Sequence, residues 1–507
     1  MKAFTTNLSQ ALLQSKFTIG LFAGVFLALV IFFSTSPQFA VRSPNNVLLP
    51  ESLENGIADR SPVVEKNDLA PAPAPAPANR AAEPPTAASK QDHEEANTNS
   101  PTNFTGGEAN APSPSLPPLK PICDLSDPRY DGCEMWGDAR TANGTDRSRV
   151  FFIPPPSQLA TAAAANWSIR SQSRKIVGVR EVIVRSLNLS NLHEAPNCTV
   201  RRSVPAVVFA LGGLTPNFWH AFSDVLVPLF TTARAFAGEV ELVATDAAPP
   251  WFVAKFRRIL AALSRYAVVL LDSDAEVRCY PHLIVGLRGH ADLDIDPARA
   301  PNGYNMFAFR EFVREAYSLP PPPAAALPVK SGGGGANRRP RLMIILRGRT
   351  RQFVNPDAIV AAIERAGFDV VRMEPSPGVD MDEISREVDA CDVLLGAHGA
   401  GLTNMVFLRT GAVVVQVIPW GKMEPHSEWF FGAPAGHMGV RHVTYSIAAE
   451  ESTLYEKYGK DSPVITDPDI FYRNGTNARY YWWEQNIRLN TTRFMPTLDM
   501  VKRLLQE

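Results

Sequence analysis

The segment DVLLGAHGAGLTNMVFL, residues 392–408, decides the fold. A continuous apolar run of strand length passes into a glycine-rich turn, and the turn passes into a second apolar stretch that starts as a helix. A buried strand followed directly by a helix start is the unit from which parallel α/β sheets are built. We therefore expect 392–399 to be an inner strand, with its turn at the sheet's carboxyl edge, where such folds bind ligands.

Apolar runs of strand length alternate with helical stretches on both sides of this segment, which is typical of an α/β chain. In the C-terminal half we predict strands at 341–348, 368–374, 392–399 and 412–419, and helices at 356–366 and 382–390. In the N-terminal half we predict strands at 206–213, 241–246 and 266–272, and helices at 217–236 and 251–264.

A segment rich in proline and glycine, 319–340, separates these two halves and is interpreted as a flexible linker. The pattern predicts two Rossmann-like domains, 122–318 and 341–507, each with a doubly wound parallel sheet. Because ligands of such sheets bind at the carboxyl ends of the strands, we expect the site between the halves.

The amino end contains one strongly apolar segment. Residues 17–33, FTIGLFAGVFLALVIFF, have no charge and are just long enough to span a bilayer core. Lys2 and Lys16 precede them without an acidic residue, so the positive-inside rule predicts a cytosolic tail over 1–16 and a transmembrane signal anchor over 17–36. The alternative is a cleaved secretory peptide, which would place the folded part in the same luminal compartment.

Proline is the composition's main anomaly. Sixteen of the 44 prolines lie within 37–121, a segment with only two aromatic residues, Phe39 and Phe104, so it cannot bury enough apolar surface to fold. We interpret it as a disordered, extended stem. Lysine and arginine number 50 against 51 acidic residues, and this net charge of −1 argues against a nucleic-acid partner.

Glycan acceptors and cysteines both indicate the secretory pathway. Seven Asn-x-Ser/Thr sequons follow the anchor: Asn103, Asn143, Asn166, Asn188, Asn197, Asn474 and Asn490. In an oxidising lumen we expect a Cys123–Cys133 disulfide, with Cys198 and Cys279 as the candidate second pair and Cys391 as a buried thiol. No C-x-x-C pair or His/Cys array in the sequence indicates a structural metal.

The segment GGLTPNFWHAFSDVLVPLF, residues 212–230, is the first candidate site. His220 and Asp224 lie four residues apart on one face of a helix that follows a strand. A histidine held by a carboxylate is a suitable general base for a hydroxyl. Pairs at this spacing are also common on helix surfaces, so the spacing alone leaves both interpretations open.

The glycine turn at 398–401 is the second candidate. Gly399 and Gly401 permit close backbone approach, and amides at a helix start bind anions, so a diphosphate fits there. The turn matches neither the dinucleotide fingerprint nor a Walker loop. A tight turn without a ligand is the alternative, and His398 in its middle speaks against that alternative.

A third group follows the strand at 341–348, where Arg347, Arg349 and Arg351 alternate and favour an anion site. Asp272 and Asp274 form a weaker rival, an Asp-x-Asp ligand pair for Mn²⁺ or Mg²⁺. Five tryptophans are candidates to stack on sugars, although each could equally pack in the core: Trp219, Trp420, Trp429, Trp482 and Trp483.

Four segments taken together resemble plant members of glycosyltransferase family 61, the xylan arabinosyl- and xylosyltransferase group. They are GGLTPNFWHAFSDVLVPLF (212–230), LRGRTRQFVNPDAIVAAIERAGFDVV (346–371), LLGAHGAGLTNMVFLRTGAVVVQVIPWG (394–421) and YWWEQNIRLNTTRFMPTL (481–498). The resemblance runs in order from about Cys123 to the C-terminus. It implies a GT-B-like fold and a single-pass type II protein of the Golgi membrane with a luminal catalytic domain. It also leaves open a complex with other Golgi glycosyltransferases.

The resemblance further implies inverting transfer of a pentose, arabinofuranose or xylose, from a UDP-sugar to a xylan-type polysaccharide. The UDP-sugar is the donor substrate, no bound cofactor is expected, and metal dependence stays open. His220 and Asp224 become the catalytic pair of the acceptor-side domain. The implied nucleotide-sugar site consists of Arg347, Arg349, His398, Gly399, Ala400, Gly401 and Asn404. The alternatives are an N-glycan core β-1,2-xylosyltransferase and a catalytically inactive Golgi glycan-binding protein.

Overall fold

The computed structural model describes residues 122–144, 148–321, 338–375, 378–473 and 479–507. The predicted tail (1–16), anchor (17–36) and stem (37–121) lie outside these ranges, as do most of the predicted linker and the sequons at Asn103 and Asn474. Among the helices of the described ranges, none has both the length and the apolar character needed to cross a bilayer.

The strands form two separate sheets. In chain order they are β1 (Cys123–Asp124), β2 (Gly132–Ala142), β3 (Arg149–Ile153), β4 (Ala165–Arg170), β5 (Glu181–Ser186), β6 (Val200–Arg201), β7 (Ala206–Ala210), β8 (Glu241–Thr245), β9 (Val269–Leu270), β10 (Arg278–Val285), β11 (Arg341–Ile345), β12 (Asp369–Met373), β13 (Val393–Ala397), β14 (Val413–Ile418) and β15 (Arg441–Ser446).

The helices connect and cover these strands. They are α1 (Pro156–Leu159), α2 (Phe218–His220), α3 (Val227–Ala233), α4 (Trp251–Lys255), α5 (Arg257–Leu263), α6 (Met306–Ala316), α7 (Pro356–Arg365), α8 (Met381–Asp389), α9 (Glu424–Ser427), α10 (Ala433–His437), α11 (Thr453–Tyr458), α12 (Pro463–Thr466), α13 (Asp469–Arg473) and α14 (Thr491–Leu504). Three π-helical turns interrupt or extend them within the described ranges, at Ala221–Leu226, Glu428–Gly432 and Tyr480–Glu484.

The second sheet has five strands in the order β12-β11-β13-β14-β15, all parallel. This is the doubly wound arrangement predicted for this half, and every residue of β13 and of β14 is buried. The strand order reverses between β11 and β13, which opens a crevice at their carboxyl ends. The 392–408 segment therefore runs through the middle of the sheet and delivers its glycine turn to that crevice.

The first sheet is mixed, so the expectation of a parallel doubly wound sheet in both halves is wrong for this one. A parallel core of β10-β7-β8-β9 matches the expectation. However, β2 pairs antiparallel with both β10 and β3 and joins them to β4 and β5. In β5, buried positions alternate with half-buried ones, which is the pattern of a sheet packed on one face.

Two predicted elements of the N-terminal half are shorter than expected. The helix at 251–264 is divided into α4 and α5 at Phe256, whose ψ of 23° leaves the helical range. The strand at 266–272 shrinks to β9, because this edge strand pairs only with β8 and then turns at Leu271–Ser273. β15 and α14 were not predicted, and both complete the second half.

The largest hydrophobic cluster includes residues of both halves. Phe222 of the first π turn packs edge-on against Phe309 of α6 and against Phe407, with ring centroids 6.4 and 6.5 Å away. All three side chains are fully buried. A shared apolar core therefore holds the two sheets in one arrangement around the site.

Candidate active site

The first cluster of polar residues lies on the helix that follows β7. Asn217 begins this helix, because its side chain accepts a hydrogen bond from the Trp219 amide at 3.0 Å. Four residues apart, His220 Nδ1 and Asp224 Oδ2 are 2.7 Å from each other, and both side chains are buried. The pair predicted from spacing is thus joined by a hydrogen bond rather than exposed on a helix surface.

Pro228 explains the local shape of this helix. Proline has no amide hydrogen, so it cannot bond the carbonyl four residues earlier, which belongs to Asp224. The helix widens there into the π turn Ala221–Leu226, and the Ser173 hydroxyl donates to the Asp224 carbonyl at 2.8 Å. π-helical turns are rare and frequent at functional sites.

Two residues remote in sequence hold the Asp224 carboxylate. Arg174 donates from Nε and Nη2 to Oδ1 of Asp224 at 3.1 and 3.0 Å. The same Nη2 lies 2.5 Å from Oδ1 of Asp292, which also pairs with Arg129 at 2.6 Å. Sequence reasoning missed Arg174 and Asp292, because only the fold brings them near Asp224.

The charge state of Asp224 follows from these contacts. Burial would raise its pKa, but the hydrogen bond from His220 and the positive charges nearby outweigh burial and lower the pKa below its ordinary value. Asp224 is therefore ionised at neutral pH. An ionised carboxylate fixes the Nδ1–H of His220 and leaves Nε2 free to accept a proton.

The second cluster surrounds the glycine turn after β13. His398 is 2% exposed, and its amide donates to the carbonyl of Val417 at 2.9 Å. Gly399 has φ = 149°, and a Cβ at this position would overlap the guanidinium of Arg347. The turn needs glycine here so that the Arg347 side chain can lie against the backbone.

Arg351 is a buried cation and Arg347 a half-buried one, and neither has a carboxylate partner among the described residues. Arg347 donates only to the carbonyl and hydroxyl of Thr350, at 2.7 and 3.4 Å. Arg351 is 7% exposed and its Nε has no partner within the described part of the chain. Burial and the charge of Arg347 lower the pKa of Arg351 to about 9. A buried charge without a counter-charge is costly, so this pair is arranged for an anion.

The other predicted nucleotide-site residues differ in burial. Arg349 is exposed, in contrast to Arg347 and Arg351. Asn404 is buried, donates to the Gly401 carbonyl at 2.9 Å and leaves Oδ1 without a partner among the described residues. Ala400 is half-buried at the start of the turn. A Cβ at Gly401 would lie 3.1 Å from Ile345 Cγ2, so glycine there permits tight packing on β11.

His398 is neutral in this environment. Burial, followed by the charges of Arg351, Arg347 and His426, lowers its pKa well below the ordinary value. Its ring lies edge-on to Trp482, with centroids 5.3 Å apart. The Arg351 guanidinium lies 5.5 Å from the centroid of the same indole. An uncharged imidazole and two arginines therefore share one buried recess.

Aromatic residues connect the two clusters. The Trp219 ring lies edge-on to His220 and to Phe430, with centroids 4.8 and 4.9 Å away, and its Nε1 donates to the Phe430 carbonyl at 3.4 Å. The ring of Phe430 lies 6.2 Å from that of His398. The three π turns contain Asp224, Phe430 and Trp482, so each contributes a residue to this region.

Comparison with known proteins identifies the family. The glycosyltransferase 61 model matches residues 218–415, which include His220, Asp224, Arg347 and His398. Alpha-1,3-arabinosyltransferase XAT3 of Oryza sativa subsp. japonica is 40% identical over 386 residues, which cover 75% of this chain and 64% of that protein. Beta-1,2-xylosyltransferase XYXT1 of the same rice is 39% identical over 403 residues, covering 76% and 84%. The chain belongs to glycosyltransferase family 61.

A third relative of this family 61 protein is xylan glycosyltransferase MUCI21 of Arabidopsis thaliana, 30% identical over 389 residues that cover 74% of this chain and 78% of that protein. The chain spans less than two thirds of the length of the rice arabinosyltransferase that it matches. The resemblance drawn from the four sequence segments is confirmed.

Asp272 and Asp274, the alternative metal-ligand pair, bond to other protein groups in this family 61 structure. Asp272 accepts hydrogen bonds from Thr245 at 2.6 Å and Ser148 at 3.0 Å. Asp274 forms an ion pair with Arg278 at 2.5 Å. Neither carboxylate faces the recess of His398, so the described residues give no support to an Asp-x-Asp ligand pair.

The cysteines are paired as the sequence suggested. Disulfides join Cys123 to Cys133 and Cys198 to Cys279, and Cys391 is a buried free thiol. Burial raises the pKa of Cys391 to about 11, so it is not a reactive thiolate.

Of the five candidate tryptophans, only Trp219 and Trp482 contact the clusters described above. Trp429 is 60% exposed and stacks on Phe430 at 5.7 Å. Trp420 and Trp483 are half-buried. Of these tryptophans, Trp429 is therefore the best candidate to stack on a sugar, because its ring is accessible to a ligand.

Proposed function

We propose that this family 61 protein is a glycosyltransferase that transfers a pentose, arabinofuranose or xylose, from a UDP-sugar to a xylan-type polysaccharide with inversion. The observation that carries the proposal is a hydrogen-bonded His–Asp pair, linked through Trp219 and Phe430 to a recess whose two arginines have no carboxylate partner among the described residues. The relatives support the choice of sugar, since their names specify arabinosyl, xylosyl and xylan transfer.

The recess after β11 and β13 is the site proposed for the diphosphate of the donor. Arg347 and Arg351 supply positive charge, and His398 and the amides of the 399–401 turn supply hydrogen bonds. Guanidinium groups pair well with phosphate oxygens, and exclusion of water strengthens that pairing. The position agrees with the rule that doubly wound sheets bind ligands where the strand order reverses.

His220 is the proposed general base. Asp224 orients its ring through Nδ1, so Nε2 removes the proton of the acceptor hydroxyl as that oxygen attacks the anomeric carbon. The bond from that carbon to the UDP oxygen breaks in the same step, and the arginines stabilise the departing diphosphate. Attack opposite the leaving group inverts the anomeric centre. Two sheets that face one site agree with a GT-B-like arrangement.

A Golgi location with a membrane anchor at 17–36 completes the proposal. Both disulfides suit an oxidising compartment. Of the sequons in the described ranges, four have an exposed asparagine: Asn143, Asn166, Asn197 and Asn490. Asn188 is half-buried.

The test is a donor screen with the full-length protein. UDP-arabinofuranose and UDP-xylose are offered with xylo-oligosaccharides, and the product linkage is determined. His220→Ala should abolish transfer and leave UDP affinity within about twofold, because the residue acts on the acceptor. The matched control is His437→Ala, which removes an exposed histidine that bonds Asp294 at 2.8 Å and should preserve transfer.

Two outcomes would contradict the proposal. Transfer retained by His220→Ala would exclude His220 as the base. Binding of UDP and xylan by the wild-type protein, without turnover of either pentose donor, would identify an inactive glycan-binding protein instead.

A further inference from the structure

Three side chains from adjacent strands of the second sheet form a buried hydrogen-bond chain. His398 follows β13, Gln416 belongs to β14 and His442 belongs to β15. Gln416 Nε2 lies 2.6 Å from His398 Nδ1, and Gln416 Oε1 lies 2.8 Å from His442 Nε2. Gln416 is fully buried, and the side chain of His442 is 10% exposed. Nothing in the proposed transfer mechanism requires Gln416 or His442 directly.

The direction of this chain determines which nitrogen of His398 has the proton. The amide of Gln416 donates to Nδ1 of His398, so Nδ1 must offer a lone pair. The opposite end of the same amide accepts from Nε2–H of His442. Ser427 Oγ is a second neighbour of His398 Nδ1, at 3.4 Å. A neutral imidazole whose Nδ1 accepts has its proton on Nε2.

Nε2 of His398 has no hydrogen-bond partner among the described residues. The charged and titratable groups that act on this ring are Arg351, Arg347 and His426, and no carboxylate is among them. A fixed N–H in a recess that holds two unpaired guanidinium groups is suited to donate to a phosphate oxygen.

We propose that Gln416 and His442 are positioning residues that hold His398 as a neutral imidazole with its proton on Nε2, directed at the diphosphate of the donor. The identity of that ligand rests on the proposed function, whereas the tautomer does not. The arginines supply the charge, and His398 supplies one oriented hydrogen bond. A buried polar chain with every member bonded also resists reorientation of the ring.

The tautomer is measured by ¹⁵N NMR of histidine-labelled, full-length protein without ligand. The resonance of His398, assigned by its loss in His398→Leu, should report Nε2–H. Gln416→Leu should shift it toward a mixture of tautomers. His442→Gln, which keeps a donor for Gln416, should preserve the Nε2–H form, and His442→Leu should weaken it. A wild-type His398 protonated on Nδ1 would overturn the proposal, whether or not UDP binds.

A double-mutant cycle with UDP as the probe tests the coupling. Gln416→Leu should weaken UDP binding about tenfold in the wild-type background, in keeping with the loss of one oriented hydrogen bond. In the His398→Leu background the same change should cost less than about twofold, because the group it positions is gone. An equal loss in both backgrounds would show a merely structural role for Gln416. If the wild-type protein does not bind UDP, the proposed function is contradicted. The NMR measurement of the His398 tautomer then tests by itself whether Gln416 and His442 position that ring.

Discussion

Asp224 is 1% exposed and accepts hydrogen bonds from both His220 and Arg174. Because its pKa is lowered, the folded protein favours the ionised form of Asp224 over the protonated form more strongly than the unfolded chain does. The stabilisation is present above the ordinary pKa of a carboxyl group and is lost as pH falls through the lowered value. At neutral pH the carboxylate is therefore a constant feature that orients His220.

Asp224→Asn should lower kcat about 10²- to 10⁴-fold, because the amide keeps the shape but no longer holds His220 in the required tautomer. KM for the UDP-sugar should stay nearly constant, since Asp224 contacts His220 and Arg174 rather than the arginines of the diphosphate recess. Steady-state kinetics at saturating acceptor separate the two parameters. Asp294→Asn, which breaks the exposed pair with His437, is the matched control. An unchanged kcat in Asp224→Asn would remove the pair from the mechanism.

The burial of Arg351 lowers the stability of the folded protein. Its guanidinium is buried near Arg347 without a counter-charge among the described residues, and a buried charge in that setting is unfavourable. Arg351→Met should therefore raise the melting temperature of the ligand-free protein by a few degrees and weaken UDP binding at least about tenfold.

Differential scanning calorimetry with and without UDP measures both effects of that substitution. Arg349→Met, which removes an arginine that is exposed to solvent, is the control and should change neither. A lower melting temperature for Arg351→Met would mean that the guanidinium has a stabilising partner and is not reserved for an anion.

At the scale of elements, the glycine turn after β13 sets the shape of the recess. Gly399→Ala adds a Cβ that overlaps the Arg347 guanidinium and forces a residue with φ = 149° out of the range that alanine prefers. UDP affinity should fall at least about tenfold, because Arg347 moves when the Cβ enters. Isothermal titration with UDP measures the loss.

Gly411→Ala separates the two causes. Gly411 also has a positive φ, of 81°, but a Cβ there meets no atom within 4 Å. This variant should cost about 1 kcal/mol of stability and leave UDP affinity intact. If Gly399→Ala, like Gly411→Ala, lowers stability but leaves UDP affinity intact, close approach of Arg347 is not the reason that position 399 requires glycine.

The elements differ in how far the sequence determines them. Four of the five strands of the second sheet, β11 to β14, were predictable, because continuous apolar runs such as those in β13 and β14 have no other way to be buried. The mixed first sheet was not, because alternating strands such as β5 are compatible with several pairings.

The candidate site divides in the same manner. His220, Arg347 and His398 were predictable, since each follows a buried strand, and Asp224 was predictable from its spacing to His220. Arg174 and Gln416 were not, because Arg174 lies 50 positions from Asp224, and Gln416 looks like one more residue of an apolar strand. Local patterns identify the groups proposed to face the ligand, whereas tertiary contacts select the groups that orient them.

At the scale of the molecule, the two sheets share their largest apolar cluster. Phe407 follows the glycine turn and packs between Phe222 and Tyr317. Its carbonyl also accepts from Arg314 of α6 at 2.6 Å. A buried, apolar contact of this kind is typical of one cooperative unit rather than of two lobes that move freely.

One substitution in the second half tests this cooperativity. Phe494 of α14 is fully buried against Tyr445 in a cluster that contains only C-terminal residues. Phe494→Ala should cost about 3–5 kcal/mol. If the halves unfold together, hydrogen exchange should show equal loss of protection in β8 of the first sheet and β14 of the second. Phe407→Ala, in the shared cluster, is the control that lowers protection in both sheets under either model. Loss confined to β14 in Phe494→Ala would mean that the halves unfold independently, and the geometry between His220 and His398 would then depend on motion rather than on a common core.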